Sequence, residues 1–286
     1  MTTAGALLPN SIRLLMTINA VALFSVGSYI GATLFIIQQI QKNSAARPQK
    51  HRILNSLCAA WLGVCSHGIY IGINFYQSQS FNFSFFSTAS LVAMVVTLVL
   101  LVAAINKPVE KLGLVLFPLT AIMLMMDLNF PEQSHALRIN SWAMNTHILT
   151  SIIAFSLLNI AALQAILLAF QDRQLKRHQP KRLILSMPPL QTMESLLFQM
   201  LGTGVAFLSI ALFSGFIFIE DLFAQHLVHK TVLSILAWII FSGLLIGRWR
   251  YGWRGLTAIK WTLCGFISLL LAYFGSKLVL EIILHR

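Results

Sequence analysis

Charge is scarce in this sequence. Only 10% of its 286 residues are Asp, Glu, Lys or Arg, eight of them are acidic, and 57% of the chain is hydrophobic. A soluble domain of this length has too little polar surface to cover so much apolar side chain, so the chain reads as an all-α, polytopic membrane protein. Cysteine is also scarce. Cys58, Cys65 and Cys264 lie inside apolar runs and form no CxxC, which argues against a disulfide framework, a structural zinc site or a thioredoxin-like centre. The absence of CxxCH excludes a c-type cytochrome, and no GxSxG, HExxH, P-loop or GxGxxG is present, so no catalysis is indicated. The N-terminus has neither a basic leader nor a small-residue cleavage site, so the first apolar run is expected to stay as a helix. No charged residue falls mid-span in an evident ion path, which weakens a transporter reading.

What the chain does have is a series of apolar runs of bilayer length. Eight candidate spans lie near Leu14–Gln38, Ile53–Phe75, Phe85–Ile105, Leu112–Met126, Met144–Phe170, Leu196–Ile219, Thr231–Ile246 and Leu256–Leu280. They are expected to form one transmembrane domain over 1–286. The net charge of +12 falls in short clusters between these runs, so it reads as a topology signal and not as a nucleic-acid surface. Fifteen of the 20 Lys and Arg residues fall after the odd-numbered spans, among them Lys42, Lys107, Arg173, Arg177 and Arg248. The positive-inside rule places those loops in the cytoplasm and both termini outside, in the periplasm of a Gram-negative cell. Three loops look structured: Asp127–Ala143 outside, Gln171–Ser195 inside with Pro188, Pro189 and a capping Thr192, and the basic, aromatic Gly247–Gly255, read as an interface anchor.

The histidines are unevenly placed. His67 falls in the second span, His147 at the outer end of the fifth, His226 and His229 at the entrance to the seventh, and His285 beyond the eighth. With His135 they put six of the eight histidines in the outer half. Imidazole at the rim of a membrane helix loses hydration, and either a hydrogen bond or a metal compensates it. His226 and His229 are three apart, so on a helix they share a face, and His147 comes from another span. A pair of imidazoles across a cleft suits heme b, a flat apolar macrocycle whose iron takes two axial nitrogens. His147 and His229 are the expected ligands, with His226, His285 and His67 as lesser candidates. Lys230, Arg138 or Lys277 would pair with the propionates. Alternatively, Glu220, Asp221, His226 and His229 at one rim offer mixed oxygen and nitrogen ligands, which would suit an accessory of divalent-cation transport without heme.

Three strings are distinctive: MPPLQTMESLLFQMLGTGVAFLSIALFSGFIF from Met187 to Phe218, HLVHKTVLSILAWIIFSGLLIGRWRYGWRG from His226 to Gly255, and AYFGSKLVLEIILH from Ala272 to His285. Taken with NTHILTSIIAF from Asn145 to Phe155, they resemble the integral membrane cytochrome c assembly family, which includes HemX-like proteins, over residues 142–285. The resemblance implies heme binding or transfer at the outer face of a bacterial inner membrane, alongside other cytochrome c maturation or heme-pathway proteins. It assigns His147 a ligand role and offers His229 or His285 as the second ligand. The family's tryptophan-rich WWD segment has no counterpart here, since AQHLVHKT stands in its place. That departure points to a branch that keeps or senses heme.

Overall fold

The computed structural model describes residues 10–42, 50–78, 81–82, 85–130, 136–137, 142–177, 182–185, 187–218 and 228–275. Nearly all of them are helical, because a chain inside a bilayer can satisfy its backbone only within itself. Eight helices are long and apolar enough to cross: Met16–Gln41, Asn55–Tyr76, Phe85–Asn106, Glu110–Asn129, Thr146–Lys176, Leu190–Ile217, Val228–Tyr251 and Gly255–Gly275. One expected boundary moves. The fourth helix continues through Asp127 to Asn129, since the Asp127 carboxylate is hydrogen-bonded within the helices and does not have to leave them for water.

The helices fall into two compact units. The first comprises Met1–Gln39, Pro48–Leu101 and Gly113–Arg138. It is built from α1 (Asn10–Lys42), α2 (Lys50–Ser78), α3 (Phe85–Asn106) and α4 (Gly113–Asn129). A minimal antiparallel ladder pairs Phe81 with Leu137 and Asn82 with Ala136. Lipid removes most of the hydrophobic drive between membrane helices, so close packing and buried hydrogen bonds must hold them. Gly63 of α2 shows the packing: a Cβ there would sit 2.9 Å from the Tyr29 ring of α1. Hydrogen bonds follow the same seam. Ser25 donates to the Gly63 carbonyl at 2.7 Å, and Thr97 and Thr120 join α3 to α4 at 2.7 Å.

The second unit comprises Ile40–Arg47, Val102–Leu112 and Ile139–Arg286. It contains α5 (Trp142–Lys176), the short α6 (Arg182–Leu185), α7 (Leu190–Phe218), α8 (Val228–Tyr251) and α9 (Gly255–Leu270), which runs into a π-turn at Leu271–Gly275. The helix α5 rests mainly on α7 and next on α9, and α8 also rests on those two, so α5 and α8 stand at opposite corners. Small residues set the close approach, with Ala154, Ala161 and Ala165 of α5 fully buried. Two buried glutamines of α5 hold the chain entering α7. Gln164 donates to the Met193 carbonyl at 3.1 Å and Gln171 to that of Pro188 at 2.9 Å. Helix α7 starts at Leu190, directly after Pro189, so Thr192 lies inside its first turn and does not act as a cap.

The basic, aromatic segment is more helical than expected, since α8 runs to Tyr251 and only three residues separate it from α9. Gly252 and Gly255 make the turn at φ 67 and φ 54, a region open to glycine at little cost. Glu194 of α7 locks it. Its carboxylate accepts from Arg248 at 2.8 Å and from the Gly255 amide at 3.4 Å, and it pairs with Arg254 at 3.7 Å. The Arg248 guanidinium also lies over the Phe198 ring, 4.6 Å from its centroid. Trp249 and Tyr251 remain largely exposed, as an interface anchor requires.

Candidate functional site

The helices of the second unit alternate in direction, which brings the start of α5 and the start of α8 to one rim. Three contacts record the alternation. His147, early in α5, touches Ala211 late in α7; Trp238 of α8 donates to Ser209 of α7 at 2.8 Å; and Ser268, late in α9, donates to the Leu233 carbonyl early in α8 at 2.9 Å. His147 and His229 therefore occupy the same rim, on opposite corners of the four-helix arrangement.

His147 is the better defined of the two. Its Nδ1 lies 2.8 Å from the Ala211 carbonyl oxygen and 3.3 Å from Ser214 Oγ. A carbonyl can only accept, so Nδ1 carries the proton and donates. The neutral ring then presents its lone pair at Nε2, for which no partner is found among the described residues. A backbone carbonyl on one ring nitrogen is the usual support for a histidine whose other nitrogen binds a metal, because it fixes tautomer and orientation together. Gly215 lets the ring lie against α7: a Cβ there would sit 2.9 Å from Cε1 and 3.2 Å from Nδ1. One turn further along α5, Ser151 hydrogen-bonds Tyr273 of the π-turn. Below it Phe155 is buried against Tyr273, Phe274 and Phe266, with ring centroids 4.6, 5.8 and 6.1 Å away. This aromatic floor closes the unit beneath His147.

His229 is the second residue of α8 and is exposed, and Lys230 beside it is half-buried. His226, His285, Arg138, Glu220 and Asp221 lie outside the described residues. Among the described residues, no group of three or more His, Cys, Asp or Glu side chains converges as a metal cage. His147 and His229 are the imidazoles that the described part of this rim offers, and imidazole nitrogen is a ligand that heme iron accepts.

His67 is placed differently. It belongs to the first unit and is fully buried, with both ring nitrogens engaged: Nδ1 lies 3.4 Å from the Tyr29 hydroxyl and Nε2 lies 3.0 Å from Ser90 Oγ. Sequence reasoning missed this surrounding network, which also takes in Tyr70, Ser87 and Asp127. No periodicity reveals it, because its members are scattered one or two to a helix over four apolar helices.

Residues 54–284 match the family described as Cytochrome C assembly protein. The chain belongs to that family. The match begins well before residue 142 and takes in most of the first unit. The chain is 34% identical over 209 residues to the inner membrane protein YpjD of Escherichia coli K12, covering 71% of this chain and 76% of the relative. It is 33% identical over 140 residues to an uncharacterized 28.8 kDa protein of Azospirillum brasilense, covering 48% of this chain and 52% of that one. No solved structure matches. The family membership and the eight helices together make this a multi-pass membrane protein of the cytochrome c assembly type.

Proposed function

We propose that this protein handles heme in a bacterial inner membrane, binding heme b at the rim where α5 and α8 begin, on the periplasmic side, through His147 and His229. The observation that carries the reading is the Nδ1 bond from His147 to Ala211, which leaves Nε2 as a prepared axial ligand. When bound, heme would supply the iron, and His147 and His229 would hold it. His147 is the oriented ligand, held by α7. His229 lies on the exposed first turn of α8, where it can engage after heme arrives. Lys230 and Arg138 are the expected propionate partners, with His226 and His285 as reserves for the second axial position. The name of the E. coli relative supports the inner membrane, and the family description supports a role beside cytochrome c maturation or heme-pathway proteins. No catalysis of its own is assigned.

The test is the visible spectrum of the detergent-purified protein, oxidised and dithionite-reduced, with a pyridine hemochrome assay. The expected result is near-stoichiometric heme b with a Soret band that sharpens on reduction. His147→Ala and His229→Ala should each abolish or shift that band. A colourless protein that also fails to take up added hemin overturns the proposal, and retained divalent metal would then favour the cation-linked alternative.

A further inference from the structure

The end of the second unit opposite His147 carries an aromatic tier that the heme reading does not use. At the knuckle between α8 and α9, the rings of Tyr251 and Trp253 are 6.3 Å apart and those of Trp253 and Trp261 are 5.1 Å apart. Two glycines of α8 seat the tier on that helix. A Cβ at Gly247 would run into the Trp253 ring, and one at Gly243 would lie 3.4 Å from the Trp261 ring. Each ring of the tier has a basic neighbour in the chain: Arg250 beside Tyr251, Arg254 beside Trp253 and Lys260 beside Trp261. Arg250 follows Gly243 and Gly247 on one stripe of α8, so it stands over the seated rings.

The chain does not balance the charge of this knuckle. Its carboxylate, Glu194, is committed to Arg248 at 2.8 Å and to the Gly255 amide at 3.4 Å, with Arg254 more distant at 3.7 Å. Arg250 and Lys260 are exposed and have no acidic partner among the described residues. Side chains on a helix lean toward its N-terminus. Helix α8 ends at the knuckle and α9 starts there, so Arg250 leans back into the membrane while Lys260 leans out toward the knuckle. The two cations therefore approach one depth. Beneath them the exposed surface of both helices is aliphatic, as at Ile239 and Ile267. From the knuckle inward the order is cation, aromatic ring, aliphatic side chain. A phospholipid has the matching order of phosphate, glycerol and acyl chain.

We propose that the α8–α9 knuckle is a binding site for an anionic phospholipid of the cytoplasmic leaflet. Arg250 and Lys260 hold the phosphate, and Arg254 adds its charge from the turn. The tier of Tyr251, Trp253 and Trp261 takes the glycerol and the first acyl carbons, at the depth where aromatic rings meet headgroups. The distribution of Lys and Arg makes this the cytoplasmic end, where anionic headgroups attract basic segments next to a membrane helix. An aromatic anchor alone is indifferent to headgroup charge. Cations without carboxylate partners make this one selective for a negative headgroup. The aliphatic surface beneath them favours a lipid over a soluble phosphate ester or an acidic protein segment, because neither of those would cover it.

The test is quenching of tryptophan fluorescence by brominated lipid, with the full-length protein in phosphatidylcholine nanodiscs. The quencher is a minor fraction of dibromo-phosphatidylglycerol or, in parallel, of dibromo-phosphatidylcholine. The expected result is a preference of roughly tenfold for the anionic quencher, the weight of two or so cations at a membrane surface. Arg250→Gln and Lys260→Gln should each lower that preference about fivefold, and Arg250→Lys should keep most of it. Arg173→Gln removes an exposed cation at the cytoplasmic end of α5, outside the knuckle, and should leave the preference unchanged. Equal quenching by the two lipids in the wild type would overturn the proposal. An equal loss in Arg173→Gln would overturn it as well, in favour of a diffuse field over the whole cytoplasmic face. Displacement of the anionic quencher by added glycerol phosphate would replace the lipid with a soluble phosphate ester.

Discussion

Replacing Gly215 with alanine tests the heme reading without touching a ligand. The added methyl would meet His147 at 2.9 Å from Cε1 and 3.2 Å from Nδ1, inside the 3.4–4 Å of ordinary contact. The ring must withdraw from α7 by about half an ångström. That lengthens the 2.8 Å bond from Nδ1 to Ala211 and removes most of its roughly 1 kcal/mol. Loss of such a support typically lowers metal affinity about 10- to 100-fold. Alanine gains about 1 kcal/mol over glycine in a helix interior, which offsets much of the crowding, so thermal stability should change little. Gly202→Ala on the same helix is the matched control, because nothing lies within 4 Å of its added methyl. A hemin titration followed at the Soret band should show affinity at least tenfold weaker for Gly215→Ala and unchanged for Gly202→Ala. Equal affinities in the two variants would refute the argument that α7 orients His147.

Other outcomes follow from the knuckle and from the charge pattern. Glu194→Ala removes the carboxylate that pairs with Arg248, leaving the Trp253 carbonyl as its acceptor, and should lower stability by roughly 2 kcal/mol, read as a lower Tm in detergent, whereas Glu194→Gln keeps a side-chain acceptor and should lose less. Gly247→Ala drives a methyl into the Trp253 ring and should cost about 1–3 kcal/mol, with a change in tryptophan fluorescence as the local readout. An unchanged Tm and spectrum would mean the turn can rearrange at no cost. With Cys58, Cys65 and Cys264 replaced, single cysteines at Ser78 and Ser44 should differ, only the first reacting with an impermeant thiol reagent added outside. Reaction at Ser44 alone would invert the orientation.

Membrane helices are the part of this protein that its sequence displays most openly. Each span is an uninterrupted apolar run, and lipid leaves the backbone no alternative to a helix. Ends were less legible where a polar residue stayed inside. Asp127 reads as the start of a loop, yet two hydroxyls from α2 and α3 keep it in α4. His147 could be singled out by its place at the mouth of a span, but the carbonyl and the glycine that orient it lie 64 and 68 positions away and belong to no motif. The Tyr29, His67 and Ser90 contacts were invisible for the same reason: each helix contributes one member, and helix packing decides which ones meet.

The two glutamines of α5 act over a distance. Gln164 and Gln171 are seven residues apart, two full turns, and both reach the stretch from Pro188 to Met193. Together they index α5 along its axis like two teeth in a rack. Sliding by one turn, about 5.4 Å, would disengage both teeth at once and strand their amides in an apolar interior. Because α5 is one continuous rod, the same index fixes His147, roughly 25 Å away, opposite Ala211. The depth of the histidine at one membrane surface is thus calibrated near the other, and a lesion at Gln164 or Gln171 would appear as a mis-set ligand at the far end of the helix.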